Sequence, residues 1–289
     1  MQQVKFHQIL QGHDEVGARL NVRREFQRIR CDPLTRFLGM AFPSPDPGDP
    51  RSRYEEAYGL YCLAMERALE QVSSIVRYRK GPYYVRKYGG PYGPRQKRVA
   101  AKHNRLRRYL ELDFFTCLFV SRILLDRAIA LSRVFLIGGQ LPSFTSFSDH
   151  KKFFASGARF VPGHEEYARY MREETAWFDL SIKFVRDKFF VHQGPRHTKA
   201  FTIPGWGHED DLVLTFFLLD MERGKSDFGR RTMAVRFNPL RLSYDVEAFL
   251  KWFATYGEHV ITIARSRDSQ GIANQAVQRR GARTVRPVR

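Results

Sequence analysis

LDFFTCLFVSRILLDRAIAL, residues 112–131, is the longest apolar stretch of this 289-residue chain and decides its predicted fold class. Its apolar residues recur three and four positions apart, which is the period of an α-helix. The same apolar surface extends beyond the stretch and comprises Leu106, Leu110, Phe115, Cys117, Phe119, Leu124, Ala128, Ile129, Leu131 and Phe135. A surface this broad predicts a central helix, from about Val99 to Ile137, buried among other helices. Because Arg122, Asp126 and Arg127 interrupt the stretch, it does not predict a membrane span.

Four further segments have a helical period. The first begins at Tyr54 and is stopped by Gly81-Pro82. A shorter helix is predicted over 148–156, with Ser148 as its N-cap. A long helix follows from about His164 to His192, and a last one runs from Tyr244 to Ala264.

The sequence changes character between the last two of these helices. TKAFTI (198–203), DLVLTFFLLDM (211–221) and RTMAVRF (231–237) are short and rich in β-branched and aromatic residues. Turn-forming sequences separate them, so they predict a small antiparallel β-meander. The predicted fold is therefore mainly α (α+β): an antiparallel helical bundle with a small antiparallel β-meander before a C-terminal helix.

Composition divides the chain into four parts. Residues 1–50 are predicted to be an irregular segment that ends in the proline-rich AFPSPDPGDP. The helical bundle occupies 51–195 and contains a basic, Gly/Pro/Tyr-rich loop at 77–98. The meander and a C-terminal helix, 196–265, are expected to pack on the bundle. Residues 266–289 are predicted to be a basic, disordered tail.

The formal charge of +19 is concentrated in two regions. Residues 77–108 contain twelve Lys/Arg and no Asp/Glu, and residues 265–289 contain seven Arg and one Asp. Cations that hold phosphates beside tyrosines that stack on bases suit a single-stranded nucleic acid. An alternative is a mobile loop whose tyrosines pack back on the bundle. The predicted nucleic-acid-binding residues are Arg77, Arg79, Lys80, Arg86, Lys87, Arg95, Lys97 and Arg98.

VRDKFFVH, residues 185–192, places an arginine and a histidine at the end of a predicted long helix. A neutral imidazole can accept or deliver a proton near neutral pH, and a guanidinium can bind a phosphate through two hydrogen bonds. A structural interpretation is also open, in which His192 continues the apolar stripe and Arg186 pairs with Asp179. Residues six apart on a regular helix point about 240° apart. Arg186 and His192 therefore converge only if the helix unwinds near Gly194-Pro195, or if two copies of the chain combine.

This segment resembles the signature of the HEPN superfamily (higher eukaryotes and prokaryotes nucleotide-binding). That signature is an Arg, often followed by Asn, His or Asp, and then a His after four to six residues. Here the gap is five residues, and Asp187 follows the arginine. The resemblance covers roughly 54–192, and ILLDRAIAL around Asp126 also looks like the surroundings of such motifs. Arg98 with His103, and Arg159 with His164, have the spacing too, but neither pair ends a long amphipathic helix.

The resemblance implies a helical-bundle domain of the prokaryotic defence or toxin–antitoxin type. Many members are metal-independent endoribonucleases that leave a 2′,3′-cyclic phosphate, with the motifs of two protomers facing each other. By this resemblance His192 is the general base or acid, Arg186 stabilises phosphate and Asp126 orients them. RNA or another nucleic acid is the expected partner, together with a second copy of the chain and a neutralising or regulatory protein.

Two other functional classes stay open on the sequence alone. One is a non-catalytic nucleic-acid-binding or scaffold protein that uses the basic loop and tail; the other is an interaction module whose bundle dimerises. Asp113 is either a buried structural acid or an alternative third site residue. No cofactor is expected, and no metal site, because the histidines around 192–211 lack ligand spacing. Three scattered cysteines and no signal pattern predict a cytoplasmic protein without membrane contact.

Overall fold

The computed structural model describes the backbone of residues 15–44, 46, 48–78, 93–136, 144–155, 163–184, 197–198, 202–206, 212–220 and 233–281. Side chains are described for 23–44, 46, 48–71, 93–136 apart from 95, 96, 103 and 107, 144–155, 163–179, 181–183 and 238–267.

The described backbone is mostly helical, as the sequence predicts. The α-helices are α1 (Glu15–Arg30), α2 (Thr35–Ala41), α3 (Pro50–Tyr78), α4 (Pro94–Ala130), α5 (Phe147–Ala155), α6 (Glu165–Glu173), α7 (Ala176–Phe178) and α8 (Pro239–Gly281). A 3₁₀ turn, Leu131–Val134, continues α4, and a π-helix, Asp179–Phe184, follows α7. Among the described residues, no helix is both long and apolar enough to cross a membrane.

Helices α3 and α4 form the central antiparallel pair. The Cys117 thiol lies 3.4 Å from the Ala64 carbonyl oxygen, and Arg67 Nε donates to Asp113 Oδ1 at 2.8 Å. The inner face of α4 is fully buried and belongs to one continuous apolar core. The predicted central helix is therefore confirmed, although it begins at Pro94 rather than near Val99. Proline is favoured at a helix start because the N–H that it lacks would be unpaired there.

Both ends of the predicted loop at 77–98 are helical in the structure. Arg77 lies on α3, and Arg95, Lys97 and Arg98 lie on the first turns of α4. Four of the eight predicted binding residues are thus helical rather than in a loop. Of these four, Lys97 and Arg98 are described with their side chains; both are exposed, and the helix fixes their spacing.

The prediction of an irregular segment over 1–50 is wrong for the residues of α1 and α2. Tertiary contacts hold α1 in place: Arg28 pairs with Glu247 and donates to Ser243 Oγ at 2.8 Å, and both partners lie on α8. The Tyr58 hydroxyl of α3 donates to the Ile29 carbonyl oxygen at 2.6 Å. These partners are more than twenty residues away, so local sequence patterns did not reveal them.

The predicted tail and the predicted helix over 164–192 also need correction. Residues 266–281 continue α8; they contain no proline, and Arg, Gln and Ala favour helix. The described part of 164–192 is interrupted after α6. There the Thr175 hydroxyl bonds to Met171 O at 2.6 Å, and Lys151 donates to Thr175 O at 2.8 Å. The Thr175 carbonyl oxygen also accepts the Phe178 N–H at 3.1 Å, so the chain turns here between α6 and α7.

Helix α5 has a different cap from the one predicted. Ser146, not Ser148, stands before its first residue, and Ser146 Oγ accepts the Asp149 N–H at 3.2 Å. The Ser146 hydroxyl also donates to the Asp149 carboxylate at 2.8 Å. Ser146 is therefore the N-cap of α5, and the Asp149 carboxylate orients its hydroxyl.

The backbone between α7 and α8 includes four strands, β1 (His197–Thr198), β2 (Thr202–Trp206), β3 (Leu212–Asp220) and β4 (Met233–Phe237). All three of the others pair antiparallel with β3, in registers such as Thr202 with Phe216 and Phe216 with Val235. The side chains of these strands lie outside the described residues. The packing of a β-meander on the bundle therefore stays a prediction.

The centre of the core is an aromatic cluster built around a glycine. Phe37 of α2 packs edge-on against Phe135 and Phe253, with ring centroids 5.8 and 5.9 Å apart. A Cβ atom on Gly257 of α8 would lie 2.6 Å from Phe37 and 2.9 Å from Phe135. Both rings are fully buried, so neither can swing away. Helix α8 approaches α2 this closely only because residue 257 has no side chain.

His150 of α5 is buried in the neighbouring part of the core. Its Nε2 atom lies 2.8 Å from Tyr167 Oη, and the Phe144 ring is 4.3 Å away. Nδ1 has no hydrogen-bond partner among the described residues. Burial lowers the pKa of His150 to about 3, which keeps the imidazole neutral in the folded protein.

We expect Gly257→Ala to destabilise the protein by about 1–2 kcal/mol. Overpacking a core costs roughly 1–3 kcal/mol, and the gain in helix propensity returns at most about 1 kcal/mol. Gly59→Ala is the matched control, because Gly59 lies on α3 with nothing near its Cβ position. It should stabilise the protein slightly in the same urea titration. Equal effects from both substitutions would contradict the close approach.

We expect His150 to make the protein less stable as the pH falls. Below about pH 6.5, the pKa of a histidine in an unfolded chain, His150 binds a proton in the unfolded protein. In the folded protein it stays neutral until the pH approaches 3, so protonation favours the unfolded state. The free energy of unfolding should therefore lose about 1.4 kcal/mol per pH unit in that window. His150→Phe removes this slope. Urea unfolding of both proteins at pH 7, 6 and 5 measures the difference, and parallel pH profiles would refute the assignment.

Candidate functional site

One straight row of side chains runs along the outer surface of α4. Its members are spaced alternately four and three residues apart, and most are exposed; they are Arg98, Lys102, Arg105, Tyr109, Leu112, Thr116, Phe119 and Ile123. This spacing keeps a row on one side of a helix. We call these eight residues the outer row. Its first three residues are cationic and the rest are aromatic, aliphatic or hydroxyl-bearing.

The basic end of the outer row is the clearest candidate binding surface. Lys97 and Arg108 flank it, and both are exposed. No Asp or Glu occurs between residues 94 and 110. Cations at fixed helical spacing, without interspersed acids, create a positive potential along this half of α4. The exposed phenol ring of Tyr109 stands where the charges end.

The structure places only part of the predicted binding set on this surface. Lys97 and Arg98 are exposed there, and Arg77 and Arg95 are helical with side chains outside the description. Residues 79–92, with Arg79, Lys80, Arg86 and Lys87, lie outside the described residues. Sequence analysis did not select Lys102, Arg105 and Arg108, although their spacing from Arg98 was a usable signal.

Asp126, the predicted orienting residue, lies near the other end of α4 and connects α4 to α5. Its Oδ1 accepts the Phe147 N–H at 2.6 Å, and its Oδ2 accepts Arg122 Nε at 3.0 Å. Phe147 is the first residue of α5, where backbone N–H groups have no helical acceptor and a carboxylate is favoured. Asp126 therefore fixes the start of α5 against α4.

The contacts of Asp126 lead directly to the segment that precedes the Arg/His motif. Arg122 lies with its guanidinium carbon 4.8 Å from the Phe178 ring centre, and the Phe147 ring is 4.5 Å from the same ring. Lys151 of α5 pairs with Asp179, the first residue of the π-helix. Sequence analysis missed Arg122 and Lys151 as members of this junction. Arg122 had a signal, since it precedes Asp126 by one helical turn within an apolar stretch.

Arg186 and His192 themselves lie outside the described residues. The described chain reaches Phe184 in the π-helix Asp179–Phe184, two residues before Arg186. π-Helical turns are rare and are frequently found at functional sites. Asp179, which sequence analysis considered as a partner for Arg186, contacts Lys151 and lies 4.0 Å from Lys183.

Asp113 is separate from the Asp126 junction. It is 2% exposed and pairs with Arg67, and its position thirteen residues before Asp126 puts it about 20 Å away along α4. Burial raises the pKa of this carboxyl, and the nearby Arg67 partly offsets the effect. These contacts support the structural interpretation of Asp113 over a role beside Asp126.

Two described histidines have structural partners. His164, from the second Arg/His spacing, is buried with Nδ1 2.7 Å from Tyr256 Oη. His150 is buried against Tyr167, as described above. Within the described part of the chain, no group of three or more His, Cys, Asp or Glu side chains could hold a metal ion.

The two parts of the candidate site are widely spaced. Lys97 and Asp126 lie near opposite ends of α4, about 43 Å apart at 1.5 Å per residue. The basic end of the outer row and the Asp126 junction are therefore two places on one rigid helix.

Comparison of the chain with protein-family profiles, curated proteins and solved structures finds no significant match. The resemblance to HEPN domains consequently rests on the VRDKFFVH motif and the helical arrangement.

Proposed function

We propose that this chain binds RNA along the basic end of α4 and that its 186–192 segment cleaves RNA without a metal. The observation that carries the binding half is the exposed row Arg98, Lys102 and Arg105, flanked by Lys97 and Arg108 with no acid among them. Single-stranded RNA matches this surface, because phosphates contact the cations and a base can stack on Tyr109.

The cleavage half rests on the motif and on what the described residues do beside it. RNA supplies its own nucleophile, the 2′-hydroxyl, so the protein needs only a proton acceptor, a proton donor and a cation for the phosphate. His192 and Arg186 supply these groups in the proposal. Asp126 holds the start of α5 and pairs with Arg122. The Arg122 guanidinium lies over the ring of Phe178, the residue directly before the π-helix. The reaction leaves a 2′,3′-cyclic phosphate and a 5′-hydroxyl.

The separation of the two sites sets the length of substrate that can cover the whole basic surface and still reach the level of Asp126. A strand stacked at about 3.4 Å per nucleotide needs roughly a dozen nucleotides to span the 43 Å from Lys97 to Asp126. Binding of shorter RNA should depend on the basic row alone. The non-catalytic alternative, binding without cleavage, uses the same row and differs only at residues 186–192.

We expect the triple substitution of Arg98, Lys102 and Arg105 to Gln to weaken RNA binding and flatten its salt dependence. Each lost phosphate contact lowers the slope of log K against log salt by about 0.7 for a single strand, so the slope should fall by about 2. Fluorescence anisotropy with a labelled 20-nucleotide RNA at several salt concentrations measures it.

The matched control for this measurement is a triple substitution of Arg23, Arg24 and Arg53 to Gln. These arginines are also exposed but lie on α1 and α3. The control removes the same charge and should leave the slope near the wild-type value. If both triple variants bind RNA alike, net charge rather than the α4 surface explains the affinity, and the binding half of the proposal fails.

We expect the wild-type protein to cleave RNA in EDTA and His192→Ala to lose that activity by about 10²–10⁴-fold, the usual contribution of a general acid or base. Arg186→Ala should be similarly impaired. Mass spectrometry of the fragments should find cyclic phosphate ends. His259→Ala is the control, because His259 is an exposed histidine of α8.

Asp126→Asn tests the positioning role in the same assay. The amide oxygen can still accept the Phe147 N–H, but the charge opposite Arg122 is lost, so cleavage should slow while RNA affinity is unchanged. Cleavage that survives in His192→Ala, or an inert wild type that still binds RNA, would overturn the nuclease half and favour the non-catalytic alternative.

A further inference from the structure

Lys151 of α5 is a buried lysine that connects two separate backbone positions. It is 9% exposed, and lysine is almost never buried without a partner. Its ammonium group donates to the Thr175 carbonyl oxygen at 2.8 Å and pairs with the Asp179 carboxylate. Thr175 stands directly before α7, and Asp179 stands directly after it. One buried cation therefore holds both ends of α7.

The same side of α5 makes a second contact with this part of the chain. Phe147 lies four residues before Lys151, about one helical turn away. Its ring centre is 4.5 Å from that of Phe178, the last residue of α7. The backbone of Phe147 is in turn held by Asp126, which accepts its N–H at 2.6 Å. The start of the π-helix is therefore held against α5, and α5 is held against α4.

The Asp179 carboxylate has a cation near each of its two oxygens. Lys151 pairs with Oδ2, and Lys183 lies 4.0 Å from Oδ1. Sequence analysis considered Arg186 as the partner of Asp179, and residues seven apart do share one side of an α-helix. From Asp179 to Phe184, however, the chain is a π-helix, whose turn takes about one residue more. The α-helical spacing on which that pairing depends is therefore interrupted.

We propose that Lys151 is a positioning residue for the Arg/His motif, because it takes the Asp179 carboxylate and leaves the Arg186 guanidinium available for a phosphate. By holding both ends of α7, Lys151 also fixes where the π-helix begins. This inference rests on the proposed function, since a free guanidinium serves the reaction only where it contacts the phosphate that is cleaved.

Double-mutant cycles in urea unfolding of the full chain test which cation pairs with Asp179. Lys151→Met removes the charge from a side chain of similar length, and Asp179→Asn removes the negative charge. We expect their joint effect on the unfolding equilibrium constant to differ at least about threefold from the product of their separate effects, because the two groups are in contact. Arg186→Ala and Asp179→Asn should combine independently, to within about twofold.

The matched control for these cycles is Lys152→Met. Lys152 is the next residue of α5 and is exposed, so its substitution removes the same charge from the same helix. It should combine independently with Asp179→Asn. Equal coupling of Lys151→Met and Lys152→Met to Asp179→Asn would show a general effect of charge and would overturn the inference.

Cleavage of RNA by the same variants tests the positioning role. Lys151→Met should lower kcat about 10- to 100-fold, the usual cost of a displaced reacting group. RNA affinity should stay within about twofold of the wild-type value, because it depends on the basic end of the outer row. Lys151→Arg, which keeps a cation able to reach both acceptors, should retain most of the kcat. Lys152→Met should cleave RNA like the wild type.

Two results would overturn the inference: coupling of Arg186 with Asp179 in the unfolding cycle, or a folded Lys151→Met variant whose kcat equals that of the wild type. Far-UV circular dichroism verifies that each variant is folded. A wild type that cleaves no RNA is a failure of the proposed function instead. The cycles then decide separately whether Lys151 or Arg186 pairs with Asp179, because unfolding does not depend on cleavage.

Discussion

The antiparallel pairing of α3 with α4 is the constraint on which the rest of the structure depends. The contacts of Cys117 with Ala64 and of Asp113 with Arg67 determine which side of α4 faces the core. Once that side is buried, the opposite side must carry the outer row. The basic surface and the Asp126 junction then lie near opposite ends of a single helix of about 55 Å.

Contacts in and beside the core determine how α1, α5 and α8 pack around α3 and α4. Gly257 allows α8 to approach Phe37 and Phe135, and Arg28 connects α1 to α8. Helix α5 is oriented at its start by Asp126 and further along by Lys151, which pairs with the first residue of the π-helix. The segment that leads to Arg186 therefore departs from a junction whose charged groups are partnered. In the proposed function, the surrounding structure has to bring Arg186 and His192 together, because residues six apart on a regular helix point in different directions.

The sequence by itself determined the helical class, the central helix and the concentration of charge, because period and composition are local properties. It could not reveal that α1 is helical, since Ser243 and Glu247, the partners of its Arg28, lie more than 200 residues away. Nor could it reveal α2, whose Phe37 packs against the distant Phe135 and Phe253. It named Asp126 from a family resemblance, whereas only the tertiary structure decided that this carboxylate binds the start of α5. It also counted Leu112, Phe119 and Ile123 in an apolar stretch. Only packing decided which apolar residues of α4 are buried and which are exposed. A helix that is apolar on several sides can turn any of them toward the core, and the neighbouring helices determine which side that is.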